Sequence, residues 1–133
     1  MKLIEFIQQL KETSEENVQL DFFRENGQVL LQIYKQRDVT KWKWGIDLTD
    51  NEGFILNLTF NSQKTQNKEN LKRFTTSQKF KDFKSIKLFN QNSFFRGISE
   101  KKSTTETANY IIELIGEVYN IDLGTIYYTL KAY

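Results

Sequence analysis

An Asn-Gly pair between two alternating segments constrains the fold of this chain most strongly. Apolar side chains recur at every second position in residues 18–25 (Val18, Leu20 and Phe22) and in residues 28–35 (Val29, Leu31 and Ile33), and Asn26 and Gly27 stand between the two runs. Asn and Gly both tolerate the positive φ that a two-residue hairpin turn requires. A period of two places the apolar side chains of each run on one face of a strand. The segment therefore predicts a β-hairpin with strands at 18–25 and 28–35.

Two further alternating runs extend the predicted sheet. The first includes Trp42 and Trp44 and continues to Leu48, the second covers residues 54–60, and the turn-forming sequence Thr-Asp-Asn-Glu-Gly separates them. Period two puts both Trp side chains on one face, so we expect them in the core. Together the runs predict a four-stranded antiparallel meander over about residues 18–60.

Helical spacing of apolar residues marks both ends of the chain. Residues 2–13 have apolar side chains three and four positions apart and predict an amphipathic N-terminal helix. Ser103 followed by Glu106 matches a capping box, in which each residue satisfies a backbone N–H of the other, and predicts a C-terminal helix over 104–119. A sheet with one apolar face must pack against another layer, and we expect these helices to cover it.

The middle and the end of the chain give weaker patterns. Residues 61–70 contain no apolar side chain and indicate either an exposed loop or the frayed start of a helix. A short helix near 77–83 and a hairpin of 84–89 with 93–98 are predicted next. Residues 125–131 favour a strand by their β-branched and aromatic content, although their spacing also suits a helix. The whole, residues 1–133, is predicted to be a single α+β domain with a further β/α segment between the meander and the C-terminal helix.

The residue types that are missing exclude several chemistries. The chain has no Cys and no His, which excludes disulfides, thiolate nucleophiles, Cys/His zinc sites and imidazole acid–base catalysis. No glycine-rich phosphate loop is present either. We therefore predict no catalytic residues, no metal and no cofactor, and favour a protein that is not an enzyme.

Two groups of carboxylates are the alternatives to that prediction. Asp47, Asp50 and Glu52 lie at a predicted turn and could hold a divalent cation, but their spacing does not match a calcium loop, which favours simple turn chemistry. Asp21 and Glu25 on the first predicted strand, with Lys35 on the second, resemble part of an acid–lysine nuclease site, without the acid-x-Lys spacing of such sites. A metal-dependent enzyme is thus the least favoured function.

The charge distribution is strongly asymmetric along the chain. Residues 64–102 hold eleven Lys or Arg against three acids, a net charge of +8, whereas the remaining residues hold fourteen acids against eight bases. Such a segment creates a positive potential that attracts phosphate backbones or acidic protein surfaces. An ordinary solvated lysine-rich surface is the simpler alternative. The predicted contact residues are Lys79, Lys81, Lys84, Lys87 and Arg96.

Two kinds of binding partner follow from this segment. A protein partner, possibly acidic, is favoured, in the manner of small immunity proteins, adaptors or chaperones of bacteria and phages, an analogy of architecture alone. The alternative is a nucleic-acid-binding module. Exposed rings beside the cations would stack on single-stranded bases; the candidates are Phe74, Phe80, Phe83, Phe89, Phe94 and Phe95.

The cellular location is predicted from the absence of long apolar segments. No apolar run approaches the roughly 20 residues that span a bilayer. Glu5 interrupts what would be the apolar region of a signal peptide. We therefore expect a cytoplasmic protein that does not contact membranes.

Overall fold

The computed structural model describes residues 2–35, 53–61, 65–88, 91–99, 101–121 and 123–132. Three α-helices lie in these ranges, namely α1 (Leu3–Glu12), α2 (Thr65–Thr76) and α3 (Thr104–Tyr119). The strands are β1 (Val18–Arg24), β2 (Val29–Lys35), β3 (Gly53–Asn61), β4 (Lys84–Leu88), β5 (Gln91–Ser99) and β6 (Ile126–Ala132). Short 3₁₀ turns cover Gln78–Asp82 and Leu123–Thr125.

The described strands form one antiparallel sheet in the order β4-β5-β3-β2-β1-β6. The predicted hairpin of β1 and β2 is confirmed, but β1 ends at Arg24 and β2 begins at Val29, and of the two predicted turn residues only Gly27 has a positive φ, 86°. The predicted hairpin of β4 and β5 is confirmed as well. The C-terminal segment is a strand, as favoured, and it pairs with β1 at one edge of the sheet. The α+β class is therefore confirmed.

The predicted meander of four strands differs from this sheet in its count and neighbours. Strand β2 pairs directly with β3, and Ile33 lies opposite Leu56. The alternating apolar side chains of β3 thus complete the buried face next to β2 without an intervening strand. The predicted third strand, with Trp42 and Trp44, lies outside the described residues.

Helices α1 and α3 pack on one face of the sheet, as predicted. The Oγ of Ser103 accepts a hydrogen bond from the backbone N–H of Glu106 at 3.1 Å, which confirms the predicted cap of α3. Asn120 ends α3 in the left-handed conformation, with a φ of 52°. Of the two alternatives for residues 61–70, the helix is the one that forms from Thr65 onward.

Phe74 attaches α2 to this core through a cluster of aromatic rings. Its ring centroid lies 5.0 Å from that of Phe94 and 5.9 Å from that of Phe60. Two rings of the following turn also contact it, Phe80 at 5.4 Å and Phe83 at 5.1 Å. Because the Phe74 side chain is fully buried, one residue joins α2 and the 3₁₀ turn to strands β3 and β5.

The opposite face of the sheet is also buried in its centre. Tyr34 on β2, Ile55 on β3 and Phe95 on β5 point to this face and are 7%, 0% and 1% exposed. For Phe23, Leu30, Tyr34 and Ile55, the alternation along the strands predicts either a second buried layer or a dimer surface. The burial of Tyr34 and Ile55 within a single chain favours the buried layer for these two, whereas Leu30 belongs to the main core cluster and Phe23 is partly exposed.

Replacing Phe74 with Ala should reduce the free energy of unfolding by about 3–5 kcal/mol, because it removes a buried ring and leaves a cavity. Phe80→Ala is the matched control, since Phe80 belongs to the same cluster but is 37% exposed. Urea unfolding followed by fluorescence measures both. Equal losses for the two variants would contradict the central position of Phe74.

Candidate functional site

Lys79, one of the five predicted contact residues, is paired within the chain. Its Nζ lies 3.0 Å from Oε1 of Glu117 and 3.3 Å from Oε2 of Glu113, both on α3. The Lys79 side chain is only 14% exposed. These ion pairs hold the 3₁₀ turn against α3 and leave Lys79 little surface for a partner.

Ser77, the N-terminal cap of the 3₁₀ turn, strengthens this attachment. Its Oγ donates a hydrogen bond to Oε2 of Glu117 at 2.7 Å. That hydrogen bond is the main reason that the pKa of Glu117 is lowered; partial burial opposes the shift and Lys79 adds to it. Partial burial by itself would lower the pKa of Lys79, but hydrogen bonds and charges from Glu117 and Glu113 outweigh burial and raise it. Both groups are therefore held in their charged forms.

Arg96 is engaged in the same region from strand β5. Its guanidinium lies 4.1 Å from the ring centroid of Tyr110, and Nη1 lies 3.6 Å from Oδ2 of Asp82. The Tyr110 hydroxyl donates to the same Asp82 oxygen at 3.3 Å. Burial raises the pKa of Tyr110 to about 12 although the Arg96 charge opposes the shift, so the phenol keeps the proton it donates.

The other predicted contact residues differ in their surroundings. Lys81 lies in the 3₁₀ turn between the two ion-pair clusters and is exposed. Lys84 is exposed at the start of β4, an edge strand of the sheet. Lys87 belongs to the same strand, and its side chain lies outside the described part of the structure. The structure therefore brings Lys79 and Arg96 into internal ion pairs and leaves Lys81 and Lys84 at the surface.

Helix α2 carries exposed cations that the sequence prediction did not select. Lys68 and Lys72 lie one helical turn apart on its outer side, and Arg73 is exposed beside them. The sequence did contain a signal for them, the four-residue spacing of Lys68 and Lys72, which suits one side of a helix. However, residues 61–70 are all polar, so the sequence left open whether a helix forms there. We call the exposed residues Lys68, Lys72, Arg73 and Lys81 the cationic surface.

The phenylalanines proposed to stack on bases are mostly internal. Phe74, Phe94 and Phe95 are at most 7% exposed, and Phe83 is partly buried. Phe80 is 37% exposed but contacts other rings of the aromatic cluster. Phe89 lies outside the described residues. These rings build the core next to the cationic surface and leave little aromatic area for stacking.

Of the residues that resemble a nuclease site, Asp21 and Lys35 lie on opposite faces of the sheet, and Glu25 is exposed beyond the end of β1. Asp21 is 3% exposed, accepts from Nε2 of Gln19 at 2.8 Å, and pairs with Nζ of Lys131 at 2.9 Å. Lys35 instead points to the helical face, where its Nζ donates to the carbonyl oxygens of Lys11 and Thr13 at the end of α1. The two side chains therefore act separately in the fold.

The predicted turn carboxylates Asp47, Asp50 and Glu52 lie outside the described residues. Within the ranges that are described, no three acidic side chains are grouped as metal ligands would be.

Comparisons with known protein families, curated proteins and solved structures find no match to this chain. None of the helices in the described ranges is both long and apolar enough to cross a membrane.

Ser77→Ala should raise the pKa of Glu117 toward its ordinary value, because the hydrogen bond that favours the carboxylate is lost. Carboxyl NMR titration measures this pKa. Thr75→Ala is the matched control, since that neighbouring hydroxyl donates only to the Lys72 carbonyl. An unchanged pKa in Ser77→Ala would show that the Ser77 hydrogen bond does not form in solution.

Glu117→Gln should lower stability at neutral pH by about 0.5–1 kcal/mol, a modest loss because the carboxylate is 44% exposed and screened by solvent. A lowered pKa in the folded state stabilises the fold above the ordinary pKa, and this stabilisation is lost as pH falls through the folded value. The difference from the parent protein should therefore shrink between about pH 5 and about pH 3. Denaturant unfolding across this range measures it, and a constant difference would contradict the assignment.

Proposed function

We propose that this chain is a non-catalytic, cytoplasmic binding protein that engages an acidic protein partner through the cationic surface. The observation that carries the proposal is the pair of exposed lysines, Lys68 and Lys72, on one side of α2, with no ion pair to another described residue. Two cations at this spacing present their charge in one direction. A pair of lysines arranged in this way attracts an acidic surface more strongly than a single isolated lysine does.

The internal ion pairs support the proposal by fixing the position of Lys81. On one side Lys79 ties the 3₁₀ turn to Glu117, and on the other side Arg96 contacts Asp82. Lys81 is therefore presented from a turn that is held at both ends. The backbone of Lys81 therefore loses less conformational entropy on binding than the backbone of a free loop would, which favours specific contact.

A protein partner is preferred to a nucleic acid for two reasons. The aromatic rings near the cations are largely in the core, so base stacking has little surface. Three of the four members of the cationic surface are Lys, whereas bidentate phosphate contacts favour Arg. A phosphate backbone carries the same sign of charge as an acidic protein, and the experiment below distinguishes the two.

The double variant Lys68→Glu/Lys72→Glu should bind a fluorescent polyglutamate peptide about tenfold or more weakly at low salt, because like charges then face the probe. The melting temperature should stay nearly unchanged, since both side chains are exposed. Fluorescence anisotropy measures binding and thermal unfolding measures stability. Lys2→Glu/Lys11→Glu is the matched control, with the same change of charge at exposed positions of the α1 segment.

Single- and double-stranded DNA and RNA are titrated in parallel over a salt series. Binding of polyglutamate that depends on Lys68 and Lys72 and exceeds nucleic-acid binding supports the proposal. Tight nucleic-acid binding, with an association constant whose logarithm falls steeply with the logarithm of the salt concentration, would contradict the protein partner and indicate a phosphate backbone as the ligand. Equal losses in the test and control variants would mean that only net charge matters and would overturn the cationic surface as the site.

A further inference from the structure

The two edges of the described sheet differ in how they are protected. Strand β4 at one edge has five residues, and two of them, Lys84 and Lys87, are charged. Strand β6 at the other edge has seven residues and a single charged side chain, Lys131. Edge strands of soluble proteins are commonly short or charged, because their outward N–H and C=O groups can pair with another chain. The longer strand, β6, is thus the less protected edge.

The one charge on β6 is paired within the chain. Nζ of Lys131 lies 2.9 Å from Oδ2 of Asp21, whose side chain is only 5% exposed. Asp21 lies on β1, the inner neighbour of β6, where it stands opposite Thr129. The carboxylate of Asp21 offsets the charge of Lys131. This lysine therefore does little to repel a strand that approaches the outer side of β6.

The outer side of β6 is regular and accessible. All seven residues of the strand pair with β1 without a register shift, and no described strand pairs with the other side. Tyr127 is 50% exposed and stacks on Phe23 of β1, with ring centroids 5.8 Å apart. Thr129 and Ala132 are exposed as well. The strand therefore presents an ordered row of backbone N–H and C=O groups to which a further strand can be added.

We propose that β6 pairs in the antiparallel direction with β6 of a second copy of this chain, which makes a symmetric dimer with one continuous sheet. The twofold axis passes beside Thr129, the midpoint of the strand, so that Thr129 lies opposite the same residue of the second copy. The pairs across the axis are then Tyr127 with Lys131, Tyr128 with Leu130, and Ile126 with Ala132. This register pairs all seven residues of the strand.

The order of side chains along β6 is what makes a second copy the fitting occupant. The cation of Lys131 lies at one end of the strand and the exposed ring of Tyr127 at the other, so antiparallel pairing brings each cation beside a ring. Threonine pairs and pairs of an aromatic with an aliphatic side chain also stabilise neighbouring strands. No like charges meet in this register, whereas a register centred on Lys131 places two lysines opposite each other. The strand is therefore complementary to itself.

A shallow cavity beside β6 offers the second copy further contact. It has a volume of about 260 Å³ and lies between the end of α1 and β6, with Gln9, Thr13 and Leu130 among its lining residues. In the proposed register Tyr128 of the second copy lies opposite Leu130 and therefore next to this cavity. One strand and its flanking side chains make a small interface, so we expect a dimer that dissociates in the micromolar range.

The first test uses the unaltered chain. Sedimentation equilibrium from about 1 µM to about 1 mM should show the mass rising from 15.8 kDa toward twice that value. Alternate amides of an edge strand point outward, and in β6 these should exchange their hydrogens about tenfold more slowly at the highest concentration. A mass of 15.8 kDa throughout would overturn the dimer and leave the edge to an extended segment of another protein. A dimer without this protection would also overturn it, because the interface would lie elsewhere.

Tyr127→Glu and Tyr127→Lys form a matched pair that tests the register. Both remove the same ring, but they place opposite charges next to Lys131 of the second copy. The dissociation constant of the dimer should be about tenfold or more higher for Tyr127→Lys, because the pair occurs twice in each dimer. Within one chain Asp21, on the same face of β1, favours a cation at this position, so an effect on folding alone has the opposite sign. Equal dissociation constants would overturn the register.

Ile112→Glu and Ile112→Lys are the controls for net charge, since Ile112 is 37% exposed on α3 and takes the same two changes. Their dissociation constants should agree within about threefold, because charges away from the interface are screened by salt. A difference as large as that of the Tyr127 variants would overturn the proposal. The dimer is independent of the proposed function, and Lys68→Glu/Lys72→Glu should dimerise within about twofold of the parent protein.

Discussion

The buried ring of Phe74 is the contact on which the arrangement of this surface depends. Helix α2 is polar over most of its length, and isolated helices of 12 residues are marginal in water, so tertiary packing must hold it. Phe74 supplies that packing through rings on β3, β5 and the 3₁₀ turn. The orientation of α2, and with it the direction of its lysines and asparagines, therefore follows from one aromatic cluster.

The same packing gives the cations of residues 64–102 three different surroundings. The 3₁₀ turn is brought beside α3, where Lys79 meets Glu117, while Arg96 lies over the ring of Tyr110. Lys84 is on an edge strand, where charged side chains oppose edge-to-edge aggregation. Cations that lie in one segment of the sequence therefore differ in the folded chain. Lys79 and Arg96 form internal ion pairs, Lys84 lies on an edge strand, and Lys68 and Lys72 are exposed on the outer side of α2.

The elements that could be predicted are those with local signals. Asn26 and Gly27 between alternating runs defined the first hairpin, and Ser103 with Glu106 defined the start of α3. Helix α2 could not be placed, because residues 61–70 contain no apolar side chain that would mark a buried face, and the stability of the helix comes from packing of Phe74. The internal pairing of Lys79 was equally hidden, because Glu113 and Glu117 lie more than 30 residues away and neither charge nor period indicates which elements meet.

Binding at the outer side of α2 is linked to the docking of this helix. An isolated helix of 12 residues is marginal in water, so a partner that contacts both Lys68 and Lys72 would need α2 docked to meet them one helical turn apart. Such a partner would therefore stabilise the docked state by mass action. The size of this effect is limited by how often α2 undocks in the free protein, because a helix that is always docked leaves the partner no equilibrium to shift.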